Sequence, residues 1–223
     1  MRTRGEPPCR PGQKLLIGPE GPLAGTLGCA EFDRAAAADA VEVLAAGRPE
    51  LRSYEHDLGN IEVHLEPYNR PPQLVVLGAT VVGLWLLRWA RELGYDSALV
   101  ESRAERITGE HRRAADRVVS SVGELSIDGH TSAVHTDHDA PDLPRELALL
   151  LRAGAPFVGL MGSARHTSPH LEAIRASTDD AGDALRTPVG LDIGARTPPE
   201  IALAILAGVL AAREGRGGGW LDR

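Results

Sequence analysis

Two cysteines, Cys9 and Cys29, are all that this 223-residue chain contains. The number is too small for a disulfide scaffold and the spacing is not that of a zinc knuckle, so a reducing cytoplasm is the expected compartment. Apolar runs long enough to span a bilayer are missing, and the opening MRTRGEPPCRPGQK lacks the apolar core of a signal peptide. A basic patch is missing too. The formal charge is −7 and the pI is near 5.6, so polyanions are repelled and neither nucleic acid nor an acidic membrane is an expected partner. What the chain does have is 43% hydrophobic residues, enough for one good core or for one medium and one small domain.

The first part, residues 1–68, reads as a small α+β domain. KLLIG and LAGTLG flank a Gly/Pro turn, and the Ala-rich EFDRAAAADAVEVLAA reads as a helix stopped by Gly47. IEVHLEP follows with Ile61, Val63 and Leu65 on one face, the period of a half-buried strand. The prolines of PYNRPPQ then mark a boundary near residues 67–73. Beyond it short apolar runs alternate with helical patterns: LVVLG, SALVE, DRVVS, SAVHT, PFVGLMG and PVGLD are the expected strands. Strands buried on both faces and interleaved with helices predict a Rossmann-like, doubly wound parallel sheet over residues 73–213. The Gly-rich residues 214–223 read as a flexible tail.

LVVLGATVVG stands where a dinucleotide fingerprint would stand. Gly78 and Gly83 fit its first and third glycine, but Thr80 replaces the second, whose missing side chain lets a pyrophosphate approach the backbone. Glu101, at the end of the next strand, is placed for a ribose 2′-hydroxyl. An ordinary βαβ packing turn explains the same residues. If Thr80 is the obstacle, NAD(P) binding is weak and Thr80→Gly strengthens it.

His135, Asp137 and His138 cluster at the mouth of the SAVHT strand and are the candidates for proton transfer. In extended backbone His135 and Asp137 share a face, which also allows a metal pair. The bland alternative is a helix start capped by Asp139 or Asp142.

Two corners, GLMGSARHT and GLDIGARTPPE, end apolar runs with small residues followed by an arginine. At the first, Gly162 and Ser163 offer free backbone amides to an anion, with Arg165 beside them. At the second, Thr197, Pro198 and Glu200 form a capping box, which leaves Asp192, Gly194 and Arg196 without a structural duty. In a parallel sheet both corners lie at the carboxyl edge and face one crevice. Cations and amides there would take a phosphate, and the carboxylate would accept from ring N–H groups.

RPGQKLLI, GTLGCAE, IEVHLEP, LGATVVG, FVGLMGSARHT and PVGLDIGARTPPEIALAI together resemble the XdhC/CoxI family, accessory factors for xanthine dehydrogenase and related molybdenum hydroxylases. The resemblance implies a protein that holds the molybdenum cofactor, protects it during sulfuration and delivers it to the apo-enzyme. A molybdenum hydroxylase and a cysteine desulfurase are the partners so implied. Cys29 and Glu31 survive from a cysteine motif of the family, and Cys29 becomes a candidate soft ligand for molybdenum. Leu58 stands where a second cysteine is common, and GATVVG lacks a glycine and a histidine of the usual turn.

Two functions of different class follow. One is a cofactor-binding chaperone; the other is an NAD(P)-dependent oxidoreductase that uses Gly78, Gly83 and Glu101. The terminal helix IALAILAGVLAA, apolar on more than one face, adds the expectation of a homodimer.

Overall fold

A computed structural model describes residues 2–162, 174 and 184–221. The chain divides between Arg70 and Pro71 into two compact units.

The first unit contains β1 (Arg2–Gly5), β2 (Leu15–Gly18), β3 (Gly21–Gly25), α1 (Ala30–Ala46), β4 (Glu50–Tyr54) and β5 (Gly59–Leu65). β2 and β3 form a hairpin over the Gly/Pro turn, and β5 lies between antiparallel β1 and β4. α1 begins at Cys29 and ends at Gly47, whose left-handed φ of 64° returns its N–H to the Val43 and Leu44 carbonyls. Ile61, Val63 and Leu65 are buried on one face of β5 and pack with Phe32, Ala36 and Val43 of α1. The sequence reading missed β4, and no periodicity marks β1. β1 is exposed along most of its length and carries no alternation to detect.

The second unit holds β6 (Gln73–Leu77), α2 (Val81–Glu92), β7 (Asp96–Val100), α3 (Gly109–Ala114), β8 (Arg117–Val119), β9 (Thr131–His135), α4 (Leu143–Arg152), β10 (Phe157–Leu160), β11 (Leu185–Arg186) and α5 (Pro198–Arg213). Its six strands run parallel in the order β11-β10-β9-β6-β7-β8. That is the doubly wound arrangement the alternating pattern predicts. Successive residues of β6 serve opposite faces. Leu74 and Val76 pack with α2 and α5, while Val75 and Leu77 pack with α4. Each fully buried leucine or valine removes enough surface from water to contribute roughly 1.5–3 kcal/mol, so this two-sided core fixes the sheet.

One strand lies elsewhere than expected. PVGLD is not a strand; the sixth is Leu185–Arg186, with Leu185 opposite Val158 of β10. The segment from Thr187 to Thr197 is irregular. Gly190 is pressed onto α5, where a Cβ would lie 3.2 Å from the Ala204 carbonyl carbon, and the Leu191 N–H donates to the Ala204 carbonyl. Close backbone contact with a helix, rather than a ladder, leaves Val189 and Leu191 of this apolar stretch half-buried. Residues 214–221 carry no helix or strand, and Gly218 lies against the Leu191 side chain.

Candidate functional site

In a sheet of this order the strand sequence reverses between β6 and β9, and the crevice outside their carboxyl ends is where open α/β folds take ligands. The turns that follow β6, β7 and β9 meet there.

The turn after β6 is built for close packing. Gly78 has φ 95°, and a side chain there would bring its Cβ within 2.9 Å of Asp137 Cβ. A Cβ on Gly83 would lie 2.8 Å from the Gly78 carbonyl oxygen. Thr80 is the N-cap of α2: its Oγ1 accepts from the Gly83 N–H at 3.0 Å and donates to Thr136 Oγ1 at 2.8 Å. Thr136 in turn lies 3.0 Å from the Leu77 carbonyl oxygen and 3.1 Å from that of Gly78. Thr80 thus locks the two halves of the sheet together at the reversal point.

Glu101, at the end of β7, is buried. Its carboxylate accepts from the Ala79 N–H at 3.0 Å, from the Arg103 N–H at 3.1 Å, and from Arg103 Nε and Nη2 at 2.7 and 3.1 Å. Arg103 Nη2 also donates to Asp137 Oδ2 at 2.7 Å, where Arg106 Nη1 donates at 2.6 Å. Two carboxylates and two guanidiniums form a charge-balanced cluster across the crevice. Burial pushes both carboxyls up, but the Arg103 hydrogen bonds lead a set of backbone and charge interactions that hold both below the ordinary range. The Arg103 guanidinium is raised, first by Glu101 and then by Asp137.

Arg103 and Arg106 escaped the sequence reading. They follow Glu101 at two and five residues in ESRAER, and a cation so close to a supposed ribose acid was the available signal.

His135 and Asp137 do not act together as the shared-face expectation has it. Asp137 turns to the two arginines, while His135 is 1% exposed with its Nε2 facing Glu146 Oε2 at 3.5 Å. His135 Nδ1 accepts from the Asp137 N–H at 3.3 Å. His138 stands 3.7 Å from Asp139. Asp142, not Asp139, is the N-cap residue of α4, and its side chain makes no capping bond. Among the described residues no group of three or more His, Cys, Asp or Glu is placed to hold a metal ion.

Of the two corners, Gly162 lies two residues beyond β10 with φ 147°, and Ser163 and Arg165 lie outside the described residues. The second corner does not end a strand: Asp192, Gly194 and Arg196 sit exposed on the irregular segment before α5. Glu200 closes the capping box, but it accepts from the Arg196 N–H as well as the Thr197 N–H, both at 2.9 Å. The cap therefore uses the Arg196 backbone after all. The Asp192 and Arg196 side chains form no hydrogen bond or ion pair with another described residue, so their charges are available to a ligand.

In the first unit Cys29 is the N-cap residue of α1 and is half-buried. Glu31 Oε2 lies 3.6 Å from His56 Nε2. Leu58 is exposed, and its N–H donates to His56 Nδ1 at 3.1 Å.

Comparison with known proteins places these features in a lineage. The model described as the XdhC Rossmann domain matches residues 74–209, and the model of the XdhC and CoxI family matches residues 1–55. The chain belongs to the XdhC/CoxI family. Uncharacterized protein YqeB of Escherichia coli (strain K12) is 24% identical over 97% of this chain and 43% of its own length. A probable xanthine dehydrogenase subunit of Bacillus subtilis (strain 168) is 25% identical over 64% of this chain and 43% of its own. This XdhC/CoxI chain spans less than half the length of either relative. A crystal structure described as a xanthine dehydrogenase from Bacillus halodurans superposes with a TM-score of 0.58 at 18% identity, covering 82% of this chain and 65% of that one, and shares the fold. No helix among the described residues is long and apolar enough to cross a membrane.

Proposed function

We propose that this protein is an accessory factor in the maturation of a xanthine dehydrogenase-type molybdenum hydroxylase. Its cargo is the molybdenum cofactor, which it holds during sulfuration by a cysteine desulfurase and then passes to the hydroxylase. The family match supports the accessory role. The observation that carries the choice over a dinucleotide enzyme is the state of Glu101. Its oxygens are committed to Ala79 and Arg103, so a ribose hydroxyl has no free acceptor there. Of the candidates for proton transfer, Asp137 is held by two arginines and His135 is buried away from solvent.

The residues present suit the cargo's chemistry. Asp192 and Arg196 are oppositely charged, reachable from solvent and unengaged among the described residues, and Gly162 marks the other expected corner. In this reading Arg196, with the amides at Gly162 and Ser163 and the Arg165 side chain, takes the phosphate. Asp192 accepts from the pterin N–H groups. Taken by itself, the first unit offers a soft sulfur at Cys29, with Glu31 two residues along the chain. The protein works as a cytoplasmic homodimer whose copies meet through α5, where Leu203 is 49% exposed.

The test is titration of molybdenum cofactor or its pterin precursor into folded Asp192→Asn and Arg196→Gln. Each lost charged contact should weaken binding by about 1.5–3 kcal/mol, roughly ten- to a hundredfold. Unchanged affinity in both variants would move the cargo site elsewhere.

A further inference from the structure

The two cysteines are twenty positions apart in sequence, yet the fold brings them to one place. Cys9 lies on the segment leaving β1, and Cys29 opens α1. Between them sits Gly28, with φ 119°. A Cβ built on Gly28 would fall 2.5 Å from Cys9 Cβ and 2.7 Å from Cys9 Cα, so the absent side chain is what admits Cys9 against the residue preceding Cys29. Prolines at 7, 8 and 11 stiffen the Cys9 segment, and the Cys9 N–H is tied to the Pro7 carbonyl at 2.7 Å. Both thiols are free, both pack against the core formed by Phe32 and Ile61, and both remain half-exposed. A small reagent can reach them.

We propose that Cys9 and Cys29 form a single dithiol site that reacts with low-molecular-weight disulfides and closes as an internal disulfide. The two thiols are not equivalent. Cys29 caps the N-terminus of α1, whose free amides face an attacking sulfur, and it attacks first. Its thiolate forms a bond to one sulfur of the substrate disulfide, the substrate S–S bond breaks, and one thiolate leaves. Cys9 then gives up its proton and attacks the Cys29 sulfur, expelling the second thiolate. Two protein thiols are oxidised by two electrons, and one disulfide is reduced to two thiols, which take up the two protons. The pairing stands independently of the cargo reading, although closure would withdraw Cys29 as a soft ligand.

The experiment uses the full reduced chain incubated with glutathione disulfide, followed by alkylation of remaining thiols, intact-mass measurement and peptide mapping. Expected is a wild-type product with a Cys9–Cys29 link, no glutathione adduct and no alkylation. Cys9→Ser should stop at one adduct on Cys29, and Cys29→Ser should react at Cys9 about tenfold more slowly or less. Wild-type protein ending with two adducts, with two alkylated thiols, or with a link between two chains would overturn the proposal. The wild-type arm needs no variant to fold, and cofactor titration of reduced protein tests the cargo reading separately.

Discussion

Arg103 Nε donates to Glu101 Oε1 at 2.7 Å from only two residues along the chain, and the same guanidinium reaches Asp137 at the end of another strand. The acid that a dinucleotide fold reserves for ribose is here a fastening between β7 and β9. The turn carrying Gly78, Thr80 and Gly83 keeps the shape of a nucleotide fingerprint but commits its groups to internal contacts.

Removing the cation should be costly. Arg103→Met leaves the buried Glu101 with backbone amides and the distant Arg106, and should lower stability by about 2–3 kcal/mol in urea denaturation. Adding Glu101→Gln should recover part of the loss, read as a coupling energy in a double-mutant cycle. A single-variant cost under about 0.5 kcal/mol would mean the pair behaves like an exposed one.

Gly83→Ala tests packing against ligand binding. Its Cβ would meet the Gly78 carbonyl oxygen at 2.8 Å, a backbone atom that cannot rotate away. A loss of about 1–3 kcal/mol is expected with no ligand present. A neutral effect on thermal unfolding would leave the glycine unexplained by packing.

Thr80→Gly is not expected to create a dinucleotide site, contrary to what the turn sequence by itself predicts. It removes the side-chain cap of α2, at roughly a few tenths of a kcal/mol because Gly is itself tolerated at an N-cap, while Glu101 stays occupied. NADH fluorescence titration should give no micromolar binding, about −8 kcal/mol, for wild type or variant. Micromolar affinity in either would restore the nucleotide reading.

Stability should fall in acid. Glu101 and Asp137 have folded pKa values below their unfolded ones, which are about 4.3 and 3.9. Their contribution is therefore complete above about pH 5 and is lost as pH drops through the depressed folded values. Urea midpoints measured from neutral pH downward should be level and then decline below about pH 4. Arg103→Met should flatten that decline, and an unaltered slope would assign it to other carboxylates.

The local physics of the sequence sufficed for much of the architecture. Alternating Ile61, Val63 and Leu65, the Gly47 stop, the T-x-x-E cap and the short apolar runs between helices each carry their own reason for a strand, a helix end or a buried sheet. β1, with no buried face to imprint a pattern, was illegible, and β11 gave only two residues to read. At the site, sequence named Gly78, Glu101, His135 and Asp137 with ligand roles weighed against plain packing and capping ones, and Thr80 as an obstacle to a ligand. Tertiary structure decided their partners, because a hydrogen bond forms wherever the fold brings a donor within about 3 Å, regardless of separation along the chain. The same reason hid Cys9 from Cys29: what joins them is a missing side chain on Gly28, visible only once both segments are folded.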